Sequence, residues 1–423
     1  MTLRRGWIFL FLFTLQTINY ADRVSLSVAA KSISVEMHLS PVQMGYLLSS
    51  FLWTYIICLV PVGILVDRFG SRTMNALGIA LWSTATILTG RTWNIATLIL
   101  ARFTMGAAES TTHPSGARVV REWIPAGERG FTNSVFLAGS QAGPALGALV
   151  VGTVGEAYGW RASFFVLGAF GFIWLAAWLI WFDRPERVRW LGAAERDKIL
   201  RERNASVASL NEKTPASHVL RLLRTKTMWG LALTMSSSVY LQYLFLTWLP
   251  SYLQATRHLT ILRTGLFTAL PYAMAAVLII VVGFFIDRIL GGRRLDTGRR
   301  RLIVVGSLLC SAIILLTPFT ANIYLLLALI TISMTAQGLS TSFNLALLND
   351  MLVNPQDIGK AVSLLLIGGN SFGLLAPVVT GYVIAITGSY NGAFVIGGVL
   401  LILGAVISFS MTRKPIDTMK GRK

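Results

Sequence analysis

The sequence predicts an all-α polytopic membrane protein of twelve transmembrane helices arranged as two six-helix halves. Three observations carry this: apolar runs of bilayer length, a lopsided distribution of basic residues, and a short motif that occurs once in each half. The chain of 423 residues is 54% hydrophobic and 13% charged, where a soluble domain carries about 25% charged residues. Crossing a bilayer takes about 20 apolar residues per helix. Runs of that length, bounded by charge, Gly or Pro, fall at 7–29, 43–66, 73–92, 95–119, 130–154, 160–182, 227–250, 264–287, 300–319, 322–349, 360–384 and 390–411. The third, ninth and twelfth are the clearest. The fourth, fifth and eleventh are polar enough to lie inside a bundle rather than against lipid. The first follows Arg4 and Arg5 like a signal peptide, but it runs on through Asp22-Arg23 with no cleavage site, which makes it the first transmembrane helix.

A net charge of +19 raises nucleic acid as a partner, but the placement of the charges argues against it. With the N-terminus inside, thirty Lys and Arg fall on cytoplasmic segments and five on the outer side: Lys31, Arg91, Arg161, Arg257 and Arg263. Cytoplasmic loops attract basic residues, so both termini are expected in the cytoplasm and the basic excess follows from topology. The two cysteines, Cys58 and Cys310, sit in apolar runs and read as small buried hydrophobes. No nucleotide, metal or nucleophile motif is present, so neither a cofactor nor enzymatic activity is expected.

The longest loop, 183–226, divides the chain into an N-terminal half, 1–182, and a C-terminal half, 227–423. It includes Trp190-Leu191 and the sign-alternating stretch Glu195–Arg203, the pattern of an exposed surface helix, and reads as a cytoplasmic tether. After the second span comes Gly63-x-x-x-Asp67-Arg68-x-Gly70-x-Arg72, and after the eighth Gly283-x-x-x-Asp287-Arg288, with Arg293 and Arg294 following. The same signal at matching places in two six-helix halves indicates an internal duplication.

Asp22 and Arg23 lie within the first span and Arg102 and Glu109 within the fourth. A charge at the bilayer centre costs roughly 2.5–3.5 kcal/mol on insertion scales, so such groups are rare and mark function. Neighbours on a helix point about 100° apart. One plausible arrangement therefore turns Arg23 toward substrate and Asp22 toward neighbouring helices; simple bracing of the bundle is the alternative. A guanidinium offers a planar fork to a carboxylate, which suits Arg23 to an organic anion. Arg102 and Glu109 share a face but are roughly 10 Å apart along the axis, so each needs a partner on another helix, Asp22 being the natural one for Arg102. Burial disfavours the charged form of Glu109, which suits a proton carrier; a permanently ionised structural pair is the alternative. All four ionised, these groups sum to zero. An incoming monoanion makes the site negative and one proton, on Asp22 or Glu109, restores neutrality. His113, one turn beyond Glu109, is a possible relay or an interfacial residue. In the C-terminal half Tyr240, Gln242, Tyr243, Gln337, Asn344, Asn370 and Ser371 are neutral polar groups suited to hydroxyl contacts or to packing. The four-residue spacing of Gly139, Gly143 and Gly147 marks a close helix contact.

These motifs resemble the major facilitator superfamily. Gly63–Arg72 is similar to its loop 2–3 signature and Gly283–Arg294 to the counterpart in the second half. Asn19-Tyr20-Ala21-Asp22-Arg23, Arg102-x-x-x-Gly106-x-x-Glu109-x-x-x-x-Pro114, Trp123-x-Pro125-x-x-Glu128-Arg129, Thr247-Trp248-Leu249-Pro250-x-Tyr252-Leu253 and Gly369-Asn370-x-x-Gly373-x-x-x-Pro377 narrow the resemblance to its anion:cation symporter branch. The resemblance implies the major facilitator fold and a proton-coupled carrier of an organic anion, a sugar acid such as galactonate, glucarate or a hexuronate, working by alternating access as a monomer in a bacterial inner membrane. It places Asn370, Tyr20 and Tyr55 at the substrate and puts Ser140 or Gln141 where a galactonate carrier has a glutamine; Tyr240, among the neutral polar groups above, is a further candidate for substrate contact. It assigns Asp67, Arg68 and Arg72, with Asp287 and Arg288, to a cytoplasmic gate in which Asp67 meets a helix N-terminus. Glu109-Ser110 in place of Glu-Ala, and His113, depart from the branch and bear on the substrate. The same machine run as an exchanger or exporter, and a transporter-like receptor, are the competing readings.

Overall fold

Helix α1 (Gly6–Glu36) carries the Asp22-Arg23 pair and is followed by α2 (Pro41–Phe69), α3 (Ser71–Thr89), α4 (Ile95–Glu109), α5 (Thr112–Trp123), α6 (Arg129–Tyr158) and α7 (Trp160–Trp181). After the short α8 (Ser217–Leu223) come α9 (Lys226–Arg257), α10 (Ile261–Ile289) and α11 (Thr297–Ser311), which continues as a 3₁₀ segment, Ala312–Phe319. Then follow α12 (Ile323–Met351), α13 (Ile358–Gly373), α14 (Leu375–Thr387) and α15 (Asn391–Met411). The computed structural model describes residues 6–125, 128–188, 191–192, 195–197, 199–201, 217–289, 297–354 and 357–417. Among these the only β-pairing is an isolated bridge between Leu352 and Ile416. Trp190, Arg203, Arg293 and Arg294 lie outside the described residues.

Local chemistry sets the helix ends. Ser40 caps α2 by accepting from Gln43 N at 3.2 Å while its own N–H donates to Gln43 Oε1 at 2.9 Å, the reciprocal box that satisfies two orphan donors. Pro41 sits at the first helical position, where its missing N–H costs nothing. Gly70, at φ +88°, ends α2 and opens α3, in a conformation that side-chain-bearing residues rarely adopt. Asn94 caps α4 by accepting from Thr97 N at 2.9 Å.

Two predicted spans are broken rather than continuous. The fourth divides at Ser110-Thr111 into α4 and α5, because Pro114 has no N–H to give the ladder and the hydroxyls of Ser110 and Thr111 donate to Ala107 O and Ala108 O instead. The eleventh divides at Leu374, three residues before Pro377, into α13 and α14. Among the described residues eight helices, α13 and α14 taken together as one, are long and apolar enough to cross a membrane. The ninth and twelfth predicted spans are among them, as are the fifth and eleventh. The first, third, fourth and seventh are not: α3 carries Arg72, Asn75, Ser83, Thr84 and Thr86 along its length, α9 carries Ser236, Ser237, Ser238 and Gln242, and α1 and the α4–α5 pair hold the four buried charges.

The chain forms two compact units, one of residues 1–212 with 250–269 and the other of 213–249 with 270–423. In the first, α1 packs on α6, α2 on α4, and α3 on α4 and α7. A Cβ on Gly139 would come 2.5 Å from Phe13 O, one on Gly143 2.6 Å from Thr17 O, and one on Gly147 2.7 Å from Ala21 Cα. The three glycines thus let α6 lie against the backbone of α1, which fixes the rotation of α1 and with it the directions of Asp22 and Arg23. Gly143→Leu is expected to cost about 1–3 kcal/mol or more through overpacking against backbone, read as a lower thermal midpoint of the purified protein. Gly306→Leu, where a Cβ meets nothing within 4 Å, is the control and is expected to leave the midpoint in place.

Beyond the span, Glu36 at the end of α1 accepts from Arg161 Nη1 at 2.7 Å and Trp160 Nε1 at 2.8 Å. The Arg161 bond, then the Trp160 bond, hold its carboxyl below the usual range. Arg161 also stacks on Trp93 and Trp160 and donates to Thr92 O, tying α1 to the N-terminus of α7. In the second unit α11 packs on α12 and α15, Arg300 pairs with Asp350, and Thr227 Oγ1 donates to Lys414 O at 2.7 Å.

Candidate functional site

The four intramembrane charges converge in the first unit, all of them buried. Arg23 Nε donates to Glu109 Oε2 at 2.8 Å, so α1 and α4 are joined by an ion pair from which water is excluded. Losing one member of such a pair leaves an uncompensated charge, at a cost of about 3–5 kcal/mol. The Arg23 guanidinium also lies over three aromatic rings, with Cζ 4.6 Å from the centroid of Tyr20, 4.5 Å from Phe51 and 4.9 Å from Tyr55. Phe51 and Tyr55 stack on each other at 5.5 Å. An aromatic face attracts a cation, the more so when both are desolvated, so the rings hold the guanidinium plane while Nε is spent on Glu109.

Asp22 and Arg102 are neighbours without being bonded. The charges of Arg102 and Glu109 and the Thr86 hydroxyl all lie near Asp22, yet neither of its carboxylate oxygens has a hydrogen-bond partner among the described residues. The expected Asp22–Arg102 pair is therefore not formed. Arg102 Nη1 donates instead to Met105 Sδ, one turn along α4, at 3.1 Å, and its Cζ lies 5.3 Å from the Phe51 centroid. Close packing of α2 on α4 brings Phe51 here: a Cβ on Gly106 would strike Phe51 O and Thr54 Oγ1, and Thr54 Oγ1 donates to Phe103 O at 2.8 Å. Asn19, one turn before Arg23, donates to Thr112 Oγ1 at 3.3 Å and so ties α1 to the start of α5.

The other expected residues fall in several places. Tyr20 and Tyr55 are at the Arg23 guanidinium, as above. Ser140 Oγ donates to Leu137 O in its own helix, and Gln141 is half-buried beside it on α6. His113 meets the edge of Phe136 at 5.6 Å, a packing contact on α6. In the second unit Tyr240 is buried, its hydroxyl without a partner among the described residues. Asn370 Nδ2 donates to Leu366 O at 2.9 Å, Gln337 Nε2 to Thr341 Oγ1 at 3.2 Å, and Asn344 Nδ2 to Leu231 O at 3.0 Å. These side chains bond within the unit that carries them.

Arg72 of the loop signature pairs with Asp183 at 2.9 Å and donates to Leu179 O at 2.8 Å, at the end of α7. Asp67, largely exposed, lies 3.9 Å from Arg121 of α5. Arg68 rests over Phe69. Arg118 links the cluster by donating to the last carbonyls of α2, Val66 O and Asp67 O, and by pairing with Glu122 at 2.7 Å, which in turn accepts from Ser71. Sequence reasoning missed Arg118 and Glu122, although an Arg and an acid four apart near a helix end are a readable pair. It also missed Phe51, one turn before Tyr55 on the same face, and Met105. The side chains of Asp287 and Arg288 lie outside the described residues.

The sequence pattern of the Major Facilitator Superfamily matches residues 12–296 and 288–422. A protein of Escherichia coli (strain K12) named as a probable L-galactonate transporter is 31% identical over 415 residues, 96% of this chain and 89% of its own. One of Bacillus subtilis (strain 168), named as a probable galactarate/D-glucarate transporter, is 29% identical over 433 residues, 99% of this chain and 94% of its own. The solved structure of a bacterial homolog of the human lysosomal transporter Spinster, inward-facing and unoccupied, superimposes with a TM-score of 0.76 over 99% of each chain at 17% identity, a likeness of fold. With helices throughout, apolar spans and these matches along its length, the chain is a multi-pass membrane transport protein and belongs to the Major Facilitator Superfamily.

Proposed function

We propose that the protein is a proton-coupled symporter that imports an organic anion, a sugar acid in particular, by alternating access. The observation that carries the reading is the Arg23–Glu109 pair, buried and seated on three aromatic rings. A carboxylate that competes with Glu109 for the guanidinium leaves Glu109 needing a proton, because a buried carboxylate without a cation is costly. Substrate anion and proton are thereby drawn in together. The names of the relatives, transporters of sugar acids, support the substrate class. On this reading Arg23, Tyr20 and Tyr55 hold the substrate carboxylate end, with Ser140 or Gln141 nearby on α6. Asn370 and Tyr240 remain candidates for hydroxyl contacts. Asp22, Glu109 and Arg102 handle protons. Asp67, Arg68 and Arg72, and by repetition Asp287 and Arg288, act in gating, with Arg118 and Glu122 bracing the first set. The protein is proposed to be a monomer in a bacterial inner membrane, with both termini in the cytoplasm and halves 1–182 and 227–423 linked by 183–226.

The test is uptake of labelled galactonate, glucarate, glucuronate and a simple aromatic acid into proteoliposomes under an inward proton gradient. Accumulation of one acid, abolished by a protonophore, is expected. Counterflow without accumulation would overturn symport in favour of an exchanger.

A further inference from the structure

Arg102 sits beside a carboxyl group and bonds to something weaker. A thioether sulfur is a poor acceptor and a cation–π contact is modest, whereas a guanidinium–carboxylate bond is among the strongest in proteins. Yet Nη1 of Arg102 is on Met105 Sδ and its Cζ is against the Phe51 ring, while both Asp22 oxygens lack a hydrogen-bond partner among the described residues. The Phe51 ring also bears Arg23 at 4.5 Å, so one side chain contacts both guanidinium groups of the site.

We propose that Phe51 and Met105 form a seat that holds Arg102 off Asp22 while Asp22 carries a proton, and that Arg102 leaves this seat for the Asp22 carboxylate when the proton is released to water. Only the O–H bond of Asp22 changes; the rest is a swing of the Arg102 side chain. Phe51 and Met105 are positioning residues that act through Arg102. The inference deepens the proton-coupled reading and rests on it for its role in transport. The charged and titratable groups facing Asp22 are Arg102 and Glu109 of α4 and the adjoining Arg23, with Tyr20 and Tyr55 around Arg23 and His113 of α5 acting on it from beyond Glu109. Of the helices packed on α1, α6 has Arg129, Glu156 and Tyr158 and α7 has Arg161, all at helix ends, while α2 adds Tyr46, Cys58, Asp67 and Arg68 and α5 adds Arg118, Arg121 and Glu122. Helix α3, which brings Thr86 near Asp22, has only Arg72.

The experiment needs no substrate. In the purified full-length protein in liposomes, the infrared carboxylic acid band of Asp22, identified by its loss in Asp22→Asn, is titrated with pH. If the seat keeps Arg102 away, removing it brings an opposite charge to the carboxylate, and the band midpoint in Phe51→Leu and in Met105→Leu is expected to fall by about 1 pH unit. Phe51→Tyr, which keeps the ring, is expected to titrate like the parent protein. A midpoint unmoved in both leucine variants overturns the proposal, as does an equal shift in Phe51→Tyr. Should Phe51→Leu fail to fold, Met105→Leu decides alone. Acid counterflow in the same liposomes reports on the symport reading separately, so a protein that titrates as expected but moves no acid would refute the function and leave the seat standing.

Discussion

Arg23→Lys is expected to lower the uptake of whichever acid the protein accumulates by roughly 10- to 100-fold, the loss of one charge-assisted hydrogen bond, while the protein stays folded. Lysine keeps the charge that Glu109 needs. What it lacks is a flat guanidinium that can lie on Tyr20, Phe51 and Tyr55 while its edge meets a carboxylate. Arg23→Ala is a poorer probe, because it strands the buried Glu109 carboxylate and is expected to lower stability by about 3–5 kcal/mol. The double variant Arg23→Ala/Glu109→Gln separates the two effects. Removing both charges is expected to restore the stability to within about 1–2 kcal/mol of the parent, read as a recovered thermal midpoint, with uptake still absent. Uptake of parental rate in Arg23→Lys would show that a point charge suffices and would remove the planar-fork argument for substrate binding.

The burial of Asp22-Arg23 within a long helix and the shared face of Arg102 and Glu109 were legible in the sequence, because helical periodicity and the scarcity of charge in apolar runs are both read from residue order. Which charge meets which was not. A step of about 100° between neighbours gives Asp22 and Arg23 different directions but does not say which helix lies in each direction. That depends on how α6 clamps α1 through Gly139, Gly143 and Gly147, and on how Gly106 lets α2 approach α4. Those glycines are visible in the sequence as small-residue spacing, but their partners are set by packing. The Phe51–Met105 seat is hidden for the same reason: a phenylalanine and a methionine in apolar runs look like lipid-facing or core residues. The break after Glu109 was signalled by Pro114, yet its position at Ser110-Thr111 depends on hydroxyl bonds to α4 carbonyls. In the second unit, Asn370 and Tyr240 lie on helices, as the apolar runs predict, but Asn370 spends its amide on the preceding turn of its own helix.

Glu109→Gln is expected to abolish uphill accumulation while counterflow continues within a few-fold of the parent rate. Glutamine has the size of a protonated glutamate and cannot give its proton away, so the variant is held in the loaded form of the site. Exchange of one bound acid for another needs no change in that form; net uptake does, because the empty carrier must return with Glu109 again able to take a proton. The driving force indicates how many protons move. Each proton carried down one pH unit is worth about 1.4 kcal/mol, a tenfold concentration ratio. One proton with one monoanion is electrically neutral and responds to the pH gradient alone. Two protons carry a net positive charge, and about 100 mV of membrane potential then adds about 2.3 kcal/mol, or roughly 50-fold. If Asp22 and Glu109 each carry one, parent uptake responds to potential at fixed pH, and Asp22→Asn leaves a weaker accumulation that depends on the pH gradient alone. Proton-driven accumulation of parental size in Glu109→Gln would assign coupling to Asp22 and leave the Arg23–Glu109 pair a structural brace.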